Sequence, residues 1–431
     1  MAETISWETF WEAGIKAYQL GRYADAEKLF QKALAELQSP GTLLAEKGEP
    51  VDDNLTDAET TERAQAQAKI FGSLGDLYWV QGWYVEAESA YKRAVALKER
   101  VYSPDAIEVA EGLNKLGMVY RAQGKFSEVE PYLRRALSIY ERNSDANKLD
   151  IATTLENLAD FYRAHGKYSL AEPLFQKALT MRESVLGPEH PSIGPNLQNL
   201  ALLYHASGKY DLAEPLYERA LKIGESNWGA DHPSVATLLN YQAELFRMKG
   251  NFPLAEKIHW RALKIRQTAL GLEHPSTAQS LSNLALLFHI QCKYDQAEPL
   301  YKTLLDLRTK DWGPKHMHVA EILNNLAEVY QDQGKYHEAE PLYWRALSIT
   351  QESLGPEHPD VAKALRNLAE LYEEQQNFQE ADRLFRWGLG VTEKALGSEH
   401  PDVAALMARY ATLQQKMMQD DDEAPGTSWQ G

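Results

Sequence analysis

AEILNNLAEVYQDQGKYHEAEPLYWRALSITQESLGPEHPDV, residues 320–361, carries two apolar stripes at helical spacing on either side of a glycine. Leu323, Leu326, Ala327 and Tyr330 fall at i, i+3, i+4 and i+7, one face of a first helix, helix A. Past Gly334, the residues Ala339, Leu342, Tyr343, Ala346, Leu347 and Ile349 return to helical spacing and predict a second, helix B. The pattern recurs every 42 residues: Ala68, Ala110, Ala152, Gly194, Ala236, Ala278, Ala320, Ala362 and Ala404 share one column without a slip. A chain this periodic is an array of one helix-pair unit before it is anything else.

The other columns supply the punctuation. Gly82, Gly124, Gly166, Gly208 and Gly250 share the column of Gly334, as a helix end in the left-handed conformation requires. Cys292, the sole cysteine, takes that place in one unit and reads as a tolerated substitution. Two residues on comes an aromatic, as in Tyr84, Phe126 and Tyr294, expected to wedge between the helices. Ser127, Ser169, Asp211 and Asp295 precede Glu130, Glu172, Glu214 and Glu298 by three residues, the spacing of a capping box opening helix B. Pro131, Pro173, Pro215, Pro299 and Pro341 then follow, expected within the first turn. Ala87, Ala171, Ala213, Ala255, Ala297, Ala339 and Ala381 mark where two helices come close.

Leu-Ala-x-x-Tyr, Gly-Lys-Tyr and the Ala, aromatic, Ala series of helix B resemble the tetratricopeptide repeat, whose usual period is about 34 residues. The longer form with LNNLA, GKYxEAEPLYxRAL and LGPEHPDVA resembles the 42-residue repeats of kinesin light chains and their bacterial relatives, over roughly 68–415. The resemblance implies an all-α, right-handed superhelical solenoid of antiparallel helix pairs. It also implies a concave groove lined by helix A.

Five segments are expected. Residues 1–38 form a divergent first repeat, and 39–67 an insertion, polar loop followed by an early helix start at Thr56 and Glu59. Residues 68–403 hold eight full repeats, 404–418 a capping helix, and 419–431 a disordered acidic tail. His190, His232, His274, His316, His358 and His400 recur once per unit, five of them ahead of a proline, which marks a structural connector rather than a metal site.

Net charge of −17 argues against nucleic acid or an anionic membrane surface as the main partner. No apolar run approaches the ~18 residues of a membrane span, so no membrane insertion is expected. The start, MAETISWETFWEAG, lacks the form of a secretory signal, which makes the cytoplasm the default. Phosphate-loop, dinucleotide, zinc-hydrolase and nucleophile-elbow patterns are all missing, so no catalytic, cofactor or metal residue is assigned.

One column asks for a function. Asn157, Asn199, Asn283, Asn325 and Asn367 sit beside the apolar face of helix A, where asparagine costs roughly 0.7 kcal/mol against alanine. A carboxamide both donates and accepts, and can bracket a peptide backbone. By resemblance, the equivalent asparagines of kinesin light chains contact extended cargo peptides. The rival reading is that each ties neighbouring helices together. Arg121, Arg163, His205, Arg247 and His289 share the stripe and complete the candidate groove. The expected function is a non-enzymatic adaptor holding an extended segment or helix of a partner; the alternative is a receptor that binds a small peptide and changes pitch. Self-association could run through the tail or the solenoid ends.

Overall fold

The computed structural model describes residues 6–37, 57–143, 147–398 and 400–423. Most of the expected loop after residue 38, Thr56, and the end of the tail with Trp429 lie outside the described residues. Among the described residues there are nineteen α-helices and no strand. The first helices of the pairs are α1 (Trp7–Gln19), α3 (Asp57–Val80), α5 (Ile107–Ala122), α7 (Lys148–Ala164), α9 (Ile193–Ala206), α11 (Pro233–Met248), α13 (Pro275–Ile290), α15 (Met317–Asp332) and α17 (Pro359–Glu374). Their partners are α2 (Tyr23–Leu37), α4 (Tyr84–Val101), α6 (Phe126–Arg142), α8 (Tyr168–Leu186), α10 (Tyr210–Trp228), α12 (Phe252–Leu270), α14 (Tyr294–Trp312), α16 (Tyr336–Leu354) and α18 (Phe378–Leu396). The series ends on α19 (Pro401–Glu423), which continues past residue 418 into the acidic stretch. The helices form two compact units, Met1–Ile223 and Gly224–Gly431.

Seven of the nine helices A end as their glycine allows, the exceptions being Cys292 after α13 and Gln376 after α17. At Gly334 φ is 71°. Its N–H bonds Gln331 O at 2.8 Å and the Lys335 N–H reaches Tyr330 O at 2.8 Å. Two carbonyls left over by α15 are thereby satisfied. Cys292 closes α13 in the same way at φ 55°, where a side chain costs about 1–2 kcal/mol. The small-residue column is fully buried, with Ala87, Ala171, Ala213, Ala255, Ala297, Ala339 and Ala381 all at 0% exposure, so the two helices of a pair meet backbone to backbone there. Beside it Phe175, Tyr217, Tyr301, Tyr343 and Phe385 fill the core from helix B.

The connector histidines are helix caps. His232, His274, His316 and His358 are the N-cap residues of α11, α13, α15 and α17, and each Nδ1 accepts the N–H two residues on, at 3.1–3.3 Å. Proline at the next position, in three of the four, loses nothing by lacking a donor.

The capping-box expectation for helix B is corrected. Ser127 and Ser169 are the second residues of α6 and α8, whose N-caps Lys125 and Lys167 make no side-chain cap bond. Only where that column holds Asn251 or Asn377 does a side chain cap the helix. The glutamates reach forward to the next repeat instead. Glu130, Glu172, Glu298, Glu340 and Asp382 accept the hydroxyls of Tyr162, Tyr204, Tyr330, Tyr372 and Tyr410 at 2.7–3.1 Å. The turn lysine of that next repeat often adds a charge, as Lys209 does on Glu172 at 2.7 Å. At Glu88 burial pushes the carboxyl up, but Lys125, Lys92 and Gln123 outweigh it and hold it at about 2. The prolines also lie deeper than expected, Pro341 being the sixth residue of α16, where the His337 carbonyl loses its helical donor. Nor are the turn aromatics buried wedges. They open helix B, and where the last turn of helix A carries a ring they lie against it, as Tyr84 does on Trp79 and Tyr294 on His289.

Candidate peptide-binding face

The asparagine column lies on α7, α9, α13, α15 and α17, and all five side chains are half-buried. Asn157 donates to Asn114 Oδ1 on α5 at 3.0 Å, a tie between adjacent helices of the kind the stacking reading requires. Asn283 accepts from Gln279 within its own helix at 2.9 Å. Asn199, Asn325 and Asn367 make no side-chain hydrogen bond among the described residues.

The basic residues of the stripe are held in place by acids beside them. Arg121 pairs with Asp160 Oδ2, while Arg163 grips Oδ1 of the same carboxylate through Nε at 3.0 Å and Nη2 at 2.6 Å. Arg247 engages both oxygens of Glu244. His289 Nε2 lies 2.8 Å from Asp332. His205 lies edge-on to Tyr210. Further on, burial pushes the Glu328 carboxyl up; His289 opposes the shift, and Asp332 adds to it.

Beneath this stripe are polar groups that the sequence reading missed. Arg182 of α8 grips Glu156 of α7 side-on, with Nε on Oε1 at 3.0 Å and Nη2 on Oε2 at 3.1 Å. Nη2 also reaches Thr153 at 2.7 Å, and Asn196 of α9 donates to Glu156. Burial raises the Glu156 carboxyl, with Arg182 and Asn196 working against it. In the second unit Arg266 of α12 is 6% exposed and borders a cavity of about 320 Å³. A larger cavity of about 1070 Å³ in the first unit is walled by acids including Glu36, Glu62, Asp76 and Glu111. There Lys115 bridges Asp76 and Glu111 at 2.8 and 2.9 Å. Among the described residues no cluster of His, Cys, Asp and Glu could hold a metal ion, and no helix is long and apolar enough to cross a membrane.

A 42-residue period and helix pairs closed mostly by glycine define an array of one repeated helix-pair unit. The family model for the tetratricopeptide repeat matches residues 66–142, 150–226, 230–310 and 318–394, so the chain belongs to the tetratricopeptide repeat family. Its repeats serve protein–protein interaction and are generally non-catalytic. No curated protein matches the chain. Among solved structures it is similar to a putative kinesin light chain with tetratricopeptide-like repeats from Podosopora anserina, at 25% identity over 48% of this chain and 98% of that one, TM-score 0.44. It is also similar to the apo form of the quorum sensor NprR from B. thuringiensis, at 15% identity over 89% and 98%, TM-score 0.56. Aspartyl phosphate phosphatase F from Bacillus subtilis aligns at 16% identity over 82% and 96%, TM-score 0.53. The latter two share the fold.

Proposed function

We propose that the chain is a non-enzymatic adaptor that holds an extended segment of a protein partner along its helix-A face, the asparagine carboxamides hooking the partner's backbone. The observation that carries this reading is the half-buried, unbonded state of Asn199, Asn325 and Asn367. Stacking accounts for Asn157, but for those three no side-chain hydrogen bond among the described residues offsets the helix cost of asparagine. The arginines Arg121, Arg163 and Arg247 of the stripe are paired with Asp160 and Glu244, which favours a partner read by its backbone over one drawn in by a strong field.

The test is the double variant Asn325→Ala/Asn367→Ala. Each change should weaken binding by about 0.5–1.5 kcal/mol, read as reduced capture of partner proteins from native lysate, while the melting temperature hardly moves. A lower melting temperature with undiminished capture would make the column a stacking device and overturn the reading.

A further inference from the structure

The second unit contains a copy of the Arg182 arrangement from which the acid has been removed. Stepping 84 residues along the repeat takes Arg182 to Arg266, Thr153 to Thr237, Asn196 to Ser280 and Glu156 to Asn240. The scaffold around the guanidinium is kept. Nη2 of Arg266 donates to Thr237 at 2.9 Å, and Nη1 donates to Ser276 O at 2.8 Å and Ser280 Oγ at 3.0 Å. Three of its five donors are used. Nε is buried and has no acceptor, and the second Nη2 proton has none either. These two point along one edge of the guanidinium, the edge through which Arg182 holds Glu156.

Asn240 does not take the acid's place. Its amide donates to Ser280 at 3.1 Å and its oxygen is bonded to Nδ1 of the buried His259 at 3.1 Å. His259 stands where the first unit has the apolar Phe175. Thr237, Asn240, Tyr241, Arg266, Gln279 and Asn283 line the cavity together with Glu244, and both oxygens of Glu244 are engaged by Arg247. Burial pushes Arg266 below the ordinary guanidinium value and only Tyr241 opposes the shift; no carboxylate does. A guanidinium this buried calls for a counter-charge, and a carboxylate is the group that matches its paired donors.

We infer that this cavity is a carboxylate subsite, in which an acidic side chain or the C-terminal carboxylate of the bound segment takes the edge of Arg266 that Glu156 takes at Arg182. The inference rests on the adaptor reading and adds a chemical preference to it. Asn283 on the cavity wall belongs to the asparagine column, so the subsite adjoins the face that would hold the partner's backbone.

Acetate is the probe, titrated into the full chain against sodium chloride at equal ionic strength and followed through the Arg266 Nε–H nuclear magnetic resonance signal, assigned by its loss in Arg266→Lys. Wild type should show a saturable shift. Asn240→Glu, which restores the first unit's pairing and so preserves the fold, should show none. Two short serine–alanine peptides then identify the source: one with an internal glutamate and an amidated end, the other with a free C-terminal carboxylate and no acid. The peptide that displaces acetate names the group, and its uncharged counterpart should bind about tenfold or more weakly. Absence of a saturable acetate shift, an equal shift in Asn240→Glu, or failure of both peptides to compete would overturn the subsite. The adaptor reading is judged separately, by the capture experiment on Asn325 and Asn367, neither of which borders the cavity.

Discussion

Arg182 and Arg266 occupy the same place in two repeats, each reaches a threonine of the preceding helix A, and only one of them faces an acid. In the first unit the charge is settled internally, and Glu156 is fixed by Arg182 and Asn196. In the second, an amide replaces the acid and a histidine turns that amide aside. A repeat can keep its packing while changing what its interior demands. A buried cation that is complete in one copy is incomplete in the other.

The largest effect is expected from Glu156→Gln, because it gives the first unit the second unit's deficit. With Arg182, only 15% exposed, left uncompensated, stability in urea should fall by about 3–5 kcal/mol. A loss below about 1 kcal/mol would mean that this scaffold tolerates a lone guanidinium, and the contrast would lose its force. A second effect comes from His259, which has no counterpart at Phe175. Burial pushes its imidazole down from 6.5 to about 4, Glu244 opposing and Arg247 adding. Between those values the unfolded chain binds the proton more readily than the folded one. Stability is therefore complete above pH 6.5 and falls by about 3 kcal/mol as the pH drops to 4. His259→Phe should flatten that slope, and an unchanged pH profile would place its origin elsewhere. The smallest effect is expected from Asn240→Glu, which makes the second unit like the first. A new charge-assisted bond to Arg266 should raise the urea midpoint by the equivalent of about 1.5–3 kcal/mol, and a fall would show that the two surroundings are not interchangeable.

What the sequence revealed, and what it concealed, follows the same division. The helix pairs, the glycine turns and the alanine column were legible because each is enforced in nearly every copy by local backbone geometry or close packing. The glutamate before proline was misread because a capping box needs only residues three apart, whereas Glu130 meets its tyrosine 32 residues on, across a junction between repeats. Arg266 was overlooked for a different reason. Its column runs Lys98, Tyr140, Arg182, Gly224, Arg266, Arg308, Thr350 and Thr392, and no periodic signal survives in that mixture. The departures from the repeat carry the distinctive chemistry, and reading by column averages them away. Tyr241, which stands where the asparagine column would continue, lines the cavity.

The bonds from helix B to the tyrosine of the following repeat bear on how such a chain changes length over generations. Tyr162, Tyr204, Tyr330 and Tyr372 all meet the same kind of acceptor, and on α19 Tyr410 meets Asp382, so the last full repeat is finished like the others. A gene segment encoding 42 residues could be duplicated or lost at any of these boundaries and the rejoined ends would still match. Extra residues placed in a connector keep the match as well: Tyr78 donates to Glu27 at 2.9 Å although 51 residues, not 32, separate them.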